Sequence, residues 1–223
     1  MNQRVEKVDM LTDVESSAGL RDGVLEDLPE LSLIADAQLR ETATKAWMLA
    51  LGRSSFRRVR NIPGEAVPGT LILKHGGQDV HLRGVTLLAL SSADYFTKAF
   101  PEARIDRDIL IAGGLCHDIG KTFECDPENQ RRWAEDASLV GRPSLRHTIF
   151  GAHLCLLAGL PESVAHIAAC HSAEGDNVQR SLECTMVREA DTAWWRISAS
   201  AGLVRPETLP AEFVRMFGQR PAR

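Results

Sequence analysis

Residues 115–121 read LCHDIGK, which sets an imidazole beside a carboxylate at the end of an apolar run. An ionised aspartate at the edge of a core is costly unless a cation, a set of hydrogen bonds or a metal ion offsets its charge. Imidazole and carboxylate together suit Zn, Fe, Ni or Mn, with the carboxylate favouring the harder ions. Elsewhere in the chain stand His81, His147, His171 and Asp191. Taken singly, a histidine near a helix end is an ordinary capping or dipole-compensating residue.

The elements that must position these residues are helices. Apolar residues recur at helical spacing almost throughout, with hardly any two-residue alternation, so the pattern predicts an all-α chain. The spacing predicts helices over about 34–51, 80–100, 106–118, 145–158, 161–171 and 178–200. Gly52, Pro101, Gly120, Gly159 and Pro161 punctuate them. Residues 1–30, broken by Gly19, Gly23 and Pro29, read as a leader or a packed-down arm. The stretch NIPGEAVPGTLILKHGGQD at 61–79 reads as a structured loop with an extended piece at 70–73, and 120–145 as irregular. On this scaffold His81 opens one helix, His117 and Asp118 close the next, His147 opens a third, His171 closes a fourth and Asp191 lies within a fifth. Helical bundles build metal sites from side chains projecting off several facing helices, so these positions gain meaning together.

Composition narrows the classes. The 223 residues, 44% hydrophobic, suffice for a sizeable core in one domain. With 26 basic and 30 acidic residues the formal charge is −4, so no global basic field points to nucleic acid. The cluster RSSFRRVR at 53–60 reads as solvated. Five cysteines without CxxC spacing argue against a disulfide framework or a zinc ribbon. The polar start MNQRVEKVDM does not resemble a signal peptide, and no apolar run reaches the roughly 18 residues of a membrane span. The expectation is a cytoplasmic protein.

The order His81, His117-Asp118, Asp191 along a helical chain resembles the HD-domain superfamily of metal-dependent phosphohydrolases, whose pattern is H…HD…D. HLRGVTLLAL is similar to the family's first-histidine helix, LIAGGLCHDIGK to its HD segment, and RHTIFGAHLCLLAGLPESVAHIAACHS to the following segment of binuclear members. The resemblance covers roughly residues 70–200. It implies an HD helical bundle over 71–200, preceded over 1–70 by a leader and helical extension that packs on the core and followed by a C-terminal helix or tail over 201–223. It also implies a first ion held by His81, His117, Asp118 and Asp191, and a second completed by His147 and His171, with Asp118 as the bridge. Two such ions lie about 3.5–4 Å apart and lower the pKa of water toward roughly 7.

The implied function is hydrolysis of a phosphate ester of a small molecule or nucleotide, using two divalent transition-metal ions among Fe, Mn, Zn, Ni and Co. Asp118 and Lys121 are the catalytic candidates; Lys121 and Arg146 are the candidates for binding a phosphoryl oxygen. As a charged donor to substrate, Lys121 is expected to matter for turnover and not for stability. The same ligand set also resembles the superfamily's mixed-valent di-iron oxygenases, and hydrolysis of a non-phosphate bond is a further alternative. No nucleic-acid or membrane partner is implied, and the extension leaves room for a homodimer contact. His75, His153 and His166 read as loop or structural residues, Cys116 and Cys170 as buried thiols, and Trp194 and Trp195 as core.

Overall fold

Asp36, Asp106, Asp126 and Ser181 each stand one residue ahead of a helical stretch, and each side chain accepts backbone N–H groups from the first turn behind it. This satisfies donors that a helix cannot satisfy internally, so these polar residues fix where the helices start. In the computed structural model, which describes residues 18–217, the helices are α1 (Ala18–Asp27), α2 (Ala37–Gly52), α3 (Gln78–Ala99), α4 (Arg107–Cys116), α5 (Lys121–Glu124), α6 (Pro127–Glu135), α7 (Ala137–Val140), α8 (His147–Leu157), α9 (Glu162–Cys170), α10 (Leu182–Ser200) and α11 (Ala211–Phe217). Among the described residues there is no strand, only three isolated bridges, so the chain is all-α. None of the described helices is long and apolar enough to cross a membrane.

The stretch expected to be irregular, 120–145, holds three short helices instead. Asp126 caps α6 and Pro127 sits at its first position, where a missing N–H costs nothing. The first 17 residues, part of the stretch read as a leader or a packed-down arm, lie outside the described residues. Residues 18–30 of the same stretch fall in α1 and the start of a 3₁₀ turn at Pro29–Leu33, and pack on the core through Val24 and Leu28.

Helix α4 is the axis of the bundle. Leu110 to Cys116 are buried without exception, as a helix apolar on all sides requires. Its two glycines allow the close approach: a Cβ at Gly113 would fall 2.2 Å from Ile167 of α9, and one at Gly114 would fall 2.7 Å from Thr86 of α3. On a third side Trp47 of α2 donates its indole N–H to the carbonyl of Leu115 at 3.0 Å. One apolar cluster therefore runs from Val24 in α1 to Ala190 in α10. The helix ends at Cys116, two residues earlier than its pattern suggests, and His117–Gly120 form a turn against the start of α8. That contact leaves no room for a side chain, since a Cβ on Gly120 would lie 2.0 Å from the carbonyl oxygen of His147.

Residues 61–77 cross the end of the bundle as a strap. Leu73 N–H donates to Gly64 O at 2.8 Å, and the C-terminal segment holds the strap from outside through Leu71 N–H to Thr208 O and Arg205 N–H to Ile72 O. Leu71, Leu73, Trp195 and Val204 close a second, smaller cluster beneath it. The basic cluster at 53–60 is only partly solvated. Arg58 and Arg60 both pair with Asp27, whose side chain is fully buried and needs that charge.

Candidate metal centre

The turn that ends α4 delivers His117 and Asp118 to the centre of the bundle, and neighbouring helices add the remaining side chains. His81 comes from the first turn of α3, His147 from the first residue of α8, His171 from the end of α9 and Asp191 from the middle of α10. The structure brings all six together. Asp118 is their hub, and its two oxygens face different partners. Oδ2 lies 3.4 Å from His81 Nε2 and 3.7 Å from His117 Nε2, whereas Oδ1 lies 3.1 Å from His147 Nε2 and 3.5 Å from His171 Nε2. Asp191 Oδ1 approaches His81 Nε2 at 3.4 Å, and the His81 and His117 Nε2 atoms are 3.2 Å apart. Two overlapping sets, His81/His117/Asp191 and His117/Asp118/His171, are compact enough for one ion each.

The donor chemistry shows that a cation fits. His117 donates its Nδ1 hydrogen to Gly114 O at 2.7 Å, and His171 donates its own to Ala168 O at 3.1 Å. His147 donates Nδ1–H to Glu124 Oε2 at 2.7 Å. Carbonyl and carboxylate oxygens only accept, so each Nε2 turns toward the centre, as a bare lone pair in neutral His117 and His147, while His171 offers its lone pair once it gives up the proton it shares with Asp118. Lone pairs facing a carboxylate repel one another unless positive charge lies between them. Asp191 Oδ1 is moreover buried with no hydrogen-bond partner, a state that a coordinated cation relieves. Fixing the outer nitrogen of a histidine is also the usual way a ligand ring is oriented.

Charge states follow the same geometry. Burial pushes His117 well down and His147 down. Burial also works against a charged His171, but its hydrogen bond and proximity to Asp118, with Asp191 beyond, outweigh that and leave it raised. For Asp118, burial opposes ionisation, yet Lys121 and the surrounding imidazoles hold the carboxyl well below the usual range. Asp191 goes the other way, raised by its burial and by the charge of Asp118.

The two basic candidates stand at the site, with the Lys121 ammonium and two of the Arg146 N–H groups engaged by the protein itself. Lys121 is fully buried, and its ammonium donates to the strap carbonyls Glu65 O, at 2.7 Å, and Ala66 O, while lying 3.8 Å from Asp118 Oδ2. Burial alone would lower its pKa, but Asp118, with Cys125, Glu124 and Glu65 adding to it, outweighs burial and keeps it raised. Such burial departs from the expectation that losing Lys121 spares stability. Arg146 donates Nε–H to Glu174 at 2.9 Å and pairs through Nη1 with Glu124.

The residue that sequence reasoning passed over is Glu124. Its side chain is wholly buried and joins Arg146 to His147. The only signal was a glutamate seven residues after His117 in a stretch read as irregular. Gln78, also fully buried, donates from Nε2 to Pro63 O at 3.2 Å and Glu65 O at 3.3 Å, holding the strap beside Lys121. Trp195 stacks on His81 with centroids 4.9 Å apart, and Trp194 meets the same ring edge-on at 4.7 Å. His75 and His153 are exposed, and His166 accepts from Ser181 N–H at 3.1 Å. An apolar cavity of about 510 Å³ between α3 and α10, lined by Leu88, Phe96 and Met186 among others, includes none of the six residues.

Residues 79–193, a little over half of the chain, match the family model of the HD domain. The matched span begins two residues before His81 and ends two after Asp191, so it encloses the whole cluster. No curated protein and no solved structure matched the chain.

Proposed function

The chain belongs to the HD-domain family, a superfamily of metal-dependent hydrolases, and we propose that it hydrolyses a phosphate ester of a small molecule or nucleotide at a centre of two divalent cations. His81, His117, Asp118 and Asp191 would hold one ion, and Asp118, His147 and His171 the other. The single observation that carries the reading is the division of Asp118, with one oxygen turned to each set of imidazoles. Cations bound there would lower the pKa of water and offset the charge that grows on a phosphoryl group during in-line attack.

The protein's own contributions are positioning and exclusion of water. Asp118 shares its charge between both sets of ligands, and Lys121 balances it from the strap side. Because the Lys121 ammonium is committed to the carbonyls of Glu65 and Ala66, the bound cations would be the principal contacts for phosphoryl oxygens, with the partly exposed Arg146 beside them. Asp191, 22% exposed at its side chain against 5% or less for the other five, marks the side from which substrate reaches the centre.

The test is elemental analysis of protein purified without chelator, followed by assays on phosphate monoesters, diesters and nucleotides with and without O₂. The expected result is equal turnover in both atmospheres, restored to stripped protein by Mn, Ni, Co or Zn. Inertness toward every phosphate ester together with O₂ consumption would replace the hydrolase reading with that of a di-iron oxygenase.

A further inference from the structure

A histidine at the end of a helix can donate its outer nitrogen to a carbonyl of the preceding turn. His117 does this to Gly114 and His171 to Ala168, so the rings of both are oriented by their own helices. His147 is the first residue of α8, has no preceding turn and must find an acceptor elsewhere. It finds Glu124, whose carboxylate is fully buried on α5. We propose that Glu124, braced by Arg146 and Glu174, is a positioning residue on which occupancy of the second cation position depends. The proposal rests on the binuclear reading above.

Counting ligands shows why that position is the vulnerable one. The Oδ2 side of Asp118 brings His81, His117 and Asp191 as well, four protein ligands in all. The Oδ1 side has only His147 and His171 besides Asp118, three in all. Zinc sites keep three or four protein ligands, so the second position stands at the lower limit and depends on the orientation of His147. The Glu124 oxygens are divided between the two neighbours, Oε2 accepting from His147 Nδ1 and Oε1 from Arg146. A glutamine at 124 has one acceptor for these two donors. Whichever donor its oxygen serves, its own NH₂ meets the other, and either the ring or the guanidinium must turn away.

The experiment compares wild type with Glu124→Gln, Glu124→Asp and Glu174→Gln, titrating chelator-stripped protein with Mn or Zn in a calorimeter and counting ions per chain after dialysis. Wild type should hold two ions. Glu124→Gln should hold one tightly, with the second weakened roughly 10–100-fold, the usual effect of removing a ligand's outer partner. Glu124→Asp, which keeps the charge, should recover part of that affinity, and Glu174→Gln should lose less than Glu124→Gln because the bond to His147 remains. Two ions bound equally tightly by wild type and Glu124→Gln would overturn the proposal while leaving the binuclear reading intact. One ion in wild type would overturn both. Loss of both ions together, with a lowered melting temperature of the stripped protein, would mark Glu124 as a general folding residue and also refute the positioning role.

Discussion

Replacing Lys121 by methionine keeps most of the side-chain volume and removes only the ammonium. That charge lies 3.8 Å from Asp118, and both groups are almost fully buried. At an effective dielectric near 20 a pair at this separation is worth about 4 kcal/mol before desolvation is subtracted. Removing one partner also leaves the other charge buried and takes a donor from Ala66 O, so the net loss should approach the roughly 3–5 kcal/mol typical of a broken buried pair. For a chain of this size, each kcal/mol moves the midpoint by about 2–4 °C, which gives a fall of roughly 6–20 °C. The assay is thermal unfolding followed by circular dichroism, with chelator and with saturating Mn. Bound cations repel the ammonium and themselves compensate Asp118, so the gap between Lys121→Met and wild type should narrow on loading. An unchanged midpoint in chelator, accompanied by lost turnover, would refute the buried-pair reasoning and restore Lys121 as a free donor to substrate.

Gly120→Ala should disturb the centre without altering a ligand, because its Cβ would meet the backbone oxygen of His147 at 2.0 Å and force α8 away; the expected readout is fewer bound ions by elemental analysis and a stability loss of about 1–3 kcal/mol by denaturant titration. Asp27→Asn tests the clamp formed by Arg58 and Arg60. Burial opposes the Asp27 charge, but these arginines outweigh it and hold the pKa below the ordinary value. A depressed folded-state pKa stabilises fully above the ordinary aspartate range, near 3.9, and that stabilisation is lost as pH falls through the lower folded value. Asp27→Asn should thus melt lower than wild type at pH 7, by roughly 1.5–3 kcal/mol, with the gap closing in acid; a gap independent of pH would contradict the assignment.

Much of this protein was legible from residue type and spacing. Helix class followed from apolar periodicity, but two of the starts, read at about 34 and 178, lie later, just behind the caps Asp36 and Ser181, because periodicity does not mark where a side chain takes over the first N–H groups. Five of the six candidate ligands also stood out, since imidazole and carboxylate at successive helix ends is a pattern written along the chain, whereas Asp191, inside its helix, joined them through the family resemblance. Pro127 misled in the other direction: it reads as a breaker, yet it opens α6 because only its position relative to Asp126 decides between the two. What the chain could not display was pairing across distance. Glu124 matters through His147, 23 residues away, and Lys121 through the carbonyls of Glu65 and Ala66, more than 50 residues away. Whether a charged side chain meets substrate or is consumed inside the protein depends on which groups folding brings within about 3 Å of it. The tertiary packing of the strap, α5 and α8 set those partners for Lys121, Arg146 and Glu124, because a hydrogen bond between distant segments leaves no periodic trace in the sequence.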